Sequence, residues 1–130
     1  MNMEKELDRS TYVLQEDEST GAVKIADDVV AMIAGIASTE VEGVASMAGN
    51  ATNELMSMVG VKNMKKGVKV DVLDKVVEVD LALIMEYGYN IPVTSRKVQE
   101  KVKNAIENMT GLEVSSVNIR IAGVNMQKDR

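Results

Sequence analysis

Asp27-Asp28 and Glu78-x-Asp80 are the carboxylate pairs whose spacing could support acid–base work. On a strand, Glu78 and Asp80 would share one face roughly 7 Å apart, and paired carboxylates can divide the roles of acid and base. Each pair also has a plainer role. Asp27 stands where a helix N-cap belongs, and Asp28 sets a second negative charge at the positive end of the helix dipole. Glu78 and Asp80 fit the solvated face of a strand. The chain contains no histidine, cysteine, tryptophan or phenylalanine, so imidazole bases, thiolate nucleophiles and the usual zinc ligands are missing. No acid-rich calcium loop and no phosphate-cradling glycine loop occurs. The expectation is a protein that is not an enzyme and uses no metal or cofactor.

Binding is the chemistry left. Lys62, Lys65, Lys66 and Lys69 form a basic cluster, and Arg96, Lys97, Lys101 and Lys103 form a second group interleaved with Glu100 and Glu107. Either could touch phosphate, and either could be ordinary solvated surface. Single-stranded RNA is held by aromatics on a sheet face, whereas Tyr12, Tyr87 and Tyr89 are the three aromatics here and none falls in mid-strand. Met47, Met56, Met58 and Met64 make 47–64 the most methionine-dense stretch. Methionine re-packs readily, which suits a partner surface and equally suits gap-filling in an aromatic-poor core.

The elements that would carry these residues follow from periodicity. Gly21–Ile25 reads as a strand. A helix follows from Asp27 to about Glu42, with Val29, Met32, Ile33 and Ile36 at i, i+3, i+4, i+7 and a second stripe of small residues, Ala31, Ala34, Gly35 and Ser38. Val44–Ala48 is a second strand, and Leu55, Met58 and Val59 suggest a short helix closed by Gly60. Gly67–Leu73 and Val76–Tyr87 alternate cleanly about Asp74-Lys75, a hairpin pattern. In the second strand Val77, Val79, Leu81, Leu83 and Met85 form an apolar face. The other face is half apolar, because Val76, Ala82 and Ile84 accompany Glu78 and Asp80, and it calls for a cover. Asn90 can cap a helix that has Pro92 in its first turn, with Val98, Val102, Ala105, Ile106 and Met109 as its buried stripe. Val117, Ile119 and Ile121 mark a last strand. The order is β-α-β-(short α)-β-β-α-β, an α+β two-layer sandwich: a mostly antiparallel sheet with two main helices on one face.

At 130 residues the chain can bury roughly 65–70% of its unfolded surface in one core. Residues 1–19 hold six acids and two bases, a balance of −4 within a net charge of −5. The expected organisation is therefore an acidic, flexible tail over 1–20, one domain over 21–124 and a polar end over 125–130. The near-neutral body does not favour nucleic acid or anionic lipid. No run of 18 apolar residues and no secretory leader pattern is present, and with no cysteine a cytoplasmic protein is expected.

Several ordered blocks resemble the bacterial alkaline shock protein, or envelope stress response, family. They are KIADDVVAMIAGIASTEVEGVASMAGN (Lys24–Asn50), GVKVDV (Gly67–Val72), MEYGYNIP (Met85–Pro92), VQEKVKNAIENMTGLEV (Val98–Val114) and VNIRIAGV (Val117–Val124). The resemblance implies a small, non-enzymatic cytoplasmic protein of Gram-positive bacteria, tied to envelope homeostasis and general or alkaline stress. It implies protein partners: other copies of itself, and in some relatives an integral-membrane anchor protein that makes them peripheral to the membrane. A branch with the same EVEGVA-M-GN phrasing is associated with control of fatty-acid synthesis. The resulting expectation is a self-associating scaffold or adaptor using Met47, Met56, Met58 and Met64 with Val76, Ala82 and Ile84. The alternatives are RNA binding through Lys62–Lys69 and sensing of an acyl metabolite.

Overall fold

The computed structural model describes residues 11–17, 20–49 and 66–126. Its order is β1 (Thr11–Asp17), β2 (Gly21–Ala26), α1 (Asp27–Thr39), β3 (Val44–Met47), β4 (Val68–Leu73), β5 (Val76–Glu86), α2 (Ile91–Thr110) and β6 (Glu113–Asn125). From β2 onward this is the expected α+β order; the short helix expected near Leu55–Gly60 lies outside the described residues.

β5 organises the sheet because every second residue from Val77 to Met85 is a large apolar one. Val77, Val79, Leu81, Leu83 and Met85 are all buried on one face, each burial stabilising by roughly 1.5–3 kcal/mol. β6 pairs with the whole of β5 in parallel, which requires a crossover, and α2 supplies it. On the opposite edge β4 and β3 lie end to end, both antiparallel to β5: Leu73 to Val68 face Val76 to Leu81, and Met47 to Val44 face Leu83 to Met85. Ala82 falls between them. Its carbonyl accepts from the Ala48 N–H (2.9 Å), and its N–H donates to the Gly67 carbonyl (2.8 Å). Ala48 and Gly67 thus share one residue's place on the edge, and the chain leaves and re-enters the sheet at that point. A Cβ on Gly67, whose φ is +82°, would lie 3.0 Å from both the Ala48 and the Ala82 carbonyl oxygens, so glycine is required there.

Both helices cover the same sheet face. In α2, Thr94, Val98, Val102, Ile106 and Thr110 form a buried line spaced by four. Asn90 accepts from the Val93 N–H (2.9 Å) as its N-cap, and Gly111 at φ +80° ends it. The four-residue spacing sends the line to Thr110, so Met109, expected inside, is 69% exposed. α1 also corrects expectation. Val29 and Ile36 are exposed, and the buried set is Val30, Ile33, Ala34 and Ala37 with Ala31, Gly35 and Ser38. The small stripe is the deep side because α1 sits against sheet and α2 at once, and small side chains let both approach. Ala26, without a side-chain cap, is the N-cap residue, and Asp27 is the first helical residue.

The largest departure is at the start. Thr11–Asp17 is a strand paired antiparallel with β2, not part of a tail. Tyr12 and Leu14 pack with Ile25 against the core, and those contacts supply the burial that an acidic composition concealed.

Candidate functional site

The sheet face away from the helices is where most of the sequence-expected residues fall. Register places Lys69, Asp71 and Leu73 of β4, Val76, Glu78, Asp80, Ala82 and Ile84 of β5, and Asn118 and Arg120 of β6 on it. Neither helix reaches this face. Its floor is ordered by one amide: Asn118 Nδ2 donates to Glu78 Oε2 (3.1 Å) and to Asp80 Oδ1 (2.8 Å). The carboxylate pair is therefore held by a neutral donor on the neighbouring strand, an arrangement that fixes both side chains. A shallow depression of about 530 Å³ lies beside it, lined by Gly67, Lys69, Asp80, Ala82, Asn118 and Arg120 among others.

The expected association residues divide. Val76 and Ile84 are half-buried on the face away from the helices, and Leu73, missed in the sequence, stands beside Val76 at 76% exposed. Ala82 is only 8% exposed, because its small side chain sits low between flanking strands. Met47 is a correction: it is fully buried in the core, since in register with Leu83 it shares that residue's inward face. Met56, Met58 and Met64 lie outside the described residues, as do Lys62 and Lys65. Lys66 and Lys69 are exposed, but Lys69 stands among Asp71, Glu78 and Asp80, so the described part of the cluster forms no continuous basic track.

A second exposed region was not anticipated. Where β5 ends and α2 begins, Tyr87 is 58% and Tyr89 43% exposed, with Ile91 and Val93 beside them. Tyr87 N–H donates to the Asn125 carbonyl (3.2 Å), bringing in the end of β6. The Tyr89 ring lies on the backbone of Gly43: a Cβ there would sit 2.9 Å from the ring. Its hydroxyl donates to Glu42 Oε2 (3.1 Å), and that bond, with the charges of Glu42 and Glu86, raises the phenol pKa. The signal was present as Tyr-Gly-Tyr-Asn after a strand, but a turn pattern does not say whether its aromatics fold in or out.

At the β6 edge, α2 side chains occupy main-chain acceptors. Gln99 Nε2 donates to the Val117 carbonyl (3.0 Å) and Lys103 Nζ to that of Val114 (3.3 Å). Glu107 accepts from the Val114 N–H (3.0 Å) and from Lys103 (2.9 Å). Its carboxyl is held below the ordinary range by the Val114 bond first and Lys103 second. Such caps blunt an edge against stray strand pairing.

The alkaline shock protein family, described by its cell envelope-related function, matches residues 15–126. This chain belongs to that family. The Bacillus subtilis (strain 168) protein YqhY is 40% identical over 84% of this chain and 81% of its own length. YloU of the same organism is 32% identical over 82% and 90%. A stress response regulator gls24 homolog of Streptococcus pyogenes serotype M3 is 28% identical over 83% of this chain, which spans 61% of that protein. Among solved structures, two of the MamM CTD align at TM-scores of 0.47 and 0.45, with 10% and 9% identity, over 75% and 78% of this chain and 95% and 99% of theirs. The family expectation from the sequence thus stands, with envelope-related function and stress-regulator relatives. Among the described residues no helix is long and apolar enough to cross a membrane.

Proposed function

We propose that this alkaline shock family protein acts without catalysis, as a self-associating scaffold or adaptor for the envelope stress response close to the membrane. The observation that carries the reading is the sheet face that neither described helix covers: both helices pack on one side of β5, and Leu73, Val76 and Ile84 remain on the other with a fixed polar floor. A half-apolar, rigid face of that kind is suited to another protein surface. The absence of histidine and cysteine, and the binding of Glu78 and Asp80 by a single amide, support a non-enzymatic role.

Light scattering of the purified chain across a concentration series tests the reading. A stable or concentration-dependent oligomer is expected, reduced by Leu73→Lys with Val76→Lys, which place charge on that face. A strict monomer at every concentration would remove self-association and leave an adaptor that meets its partner one to one.

A further inference from the structure

We propose that the tyrosine-bearing end of the domain is a docking site for a protein segment in which apolar side chains stand next to lysine or arginine. The inference rests on the adaptor reading above and names the chemistry of the partner.

Exposed apolar residues scattered singly are ordinary, but several gathered at one end of a fold are not. Two of the three aromatics in the chain are exposed here, followed by Ile91 (42%) and Val93 (41%), and the Tyr87–Asn125 bond sets Val124 (42%) and Met126 (61%) alongside. Tyrosine is the type of side chain that anchors interfaces, because it presents large amphipathic area with few rotors. Tyr89 is already fixed, seated on Gly43 and bonded to Glu42, so binding costs little further ordering.

Charge selects the occupant. Glu42 and Glu86 both act on the Tyr89 hydroxyl, while Glu40 nearby is taken up by Lys101 at 3.5 Å. Arg96 and Lys97 stand more than a turn inside α2. An acidic rim around an apolar centre repels an anionic lipid surface and attracts a segment that carries cations beside its apolar side chains.

The test uses the full chain and two labelled dodecapeptides, one of leucine and lysine and one of leucine and glutamate, read by fluorescence anisotropy. The lysine peptide is expected to bind, more weakly as salt rises, and the glutamate peptide not to bind. Tyr87→Ser with Ile91→Ser should weaken binding about tenfold or more, and Glu42→Gln with Glu86→Gln should remove most of the salt dependence. Leu73→Ser, on the other exposed face, should change nothing. Equal binding of both peptides, or loss with Leu73→Ser but not with the tyrosine-end variants, overturns the proposal. So does stronger capture by phosphatidylglycerol vesicles that the same tyrosine-end changes abolish. The charge-removing pair keeps the test valid should the serine variant fold poorly. Light scattering of the same samples separates the two readings: variants that lose the peptide but keep the oligomer leave the scaffold intact, and the reverse leaves the docking site intact.

Discussion

Removing residues 49–67 should leave a folded and more stable domain. β3 and β4 are collinear on one edge of β5, and Ala48 supplies the N–H, Gly67 the carbonyl, that together face Ala82. Joining Ala48 directly to Val68 lets Ala48 supply both, so Val44–Leu73 becomes one strand along β5 with no change of register. The gain is the entropy of holding the two ends of the connection at adjacent places on β5; for about 20 residues between them, (3/2)RT ln n comes to about 2–3 kcal/mol. Any contacts of that segment with the domain subtract from the gain. Urea denaturation followed by circular dichroism reads the difference, and light scattering of the same sample asks whether association survives. A variant that fails to fold, or is less stable than the full chain, would refute the reasoning by showing that the segment is part of the domain's packing. A stable variant that no longer associates would assign the interface to the stretch containing Met56, Met58 and Met64.

Three further outcomes are expected. Burial first, then the charges of Asp27 and Asp71, push the Tyr12 phenol from 10.0 up to about 12. The neutral form is thus favoured in the fold, its contribution is complete below pH 10, and it is lost as pH rises through 12. Discounted for solvent screening it amounts to roughly 1 kcal/mol, and Tyr12→Phe should flatten that alkaline limb in denaturation curves between pH 9 and 12. Asp74 and Lys75 both take positive φ, at 54° and 68°, so Lys75→Gly should stabilise by roughly 1 kcal/mol in thermal melts; an unchanged melting temperature would count against strain in this turn. Gly43→Ala meets both a φ of +105° and the Tyr89 ring, and should cost about 1–3 kcal/mol; Tyr89→Ala in the same background should recover part of that cost, which a purely conformational origin would not allow.

What was legible in the sequence depended on which physical signal each element carries. The inward face of β5 could be read residue by residue, because a large apolar side chain at every second position from Val77 to Met85 marks one strand face, and all five are buried. The N-cap of α2 was equally plain, since Asn90 needs only its own next residues to act. α1 was harder. It is covered on more than one side, so amphipathic periodicity, which presumes one wet face, chose Val29 and Ile36 where small residues lie deepest. β1 was hidden because its stability comes from pairing with β2 and from Tyr12 and Leu14 meeting the core, none of which is local.

The candidate site shows the same division more sharply. Composition pointed to methionines as partner surface, yet Met47 is core because register with Leu83 turns it inward. Leu73, by contrast, reads as one more residue of an alternating strand and is among the most exposed apolar side chains described. Side-chain type sets what a residue can contribute; the face it occupies sets whether a partner can reach it, and in a sheet that face reverses at every residue. Tyr87 and Tyr89 show the consequence. Their exposure is set by where Gly43 and Asn125, distant in sequence, bring the chain against them. The surfaces of this protein are products of register and crossover, set by how β3, β4 and β6 pair with β5.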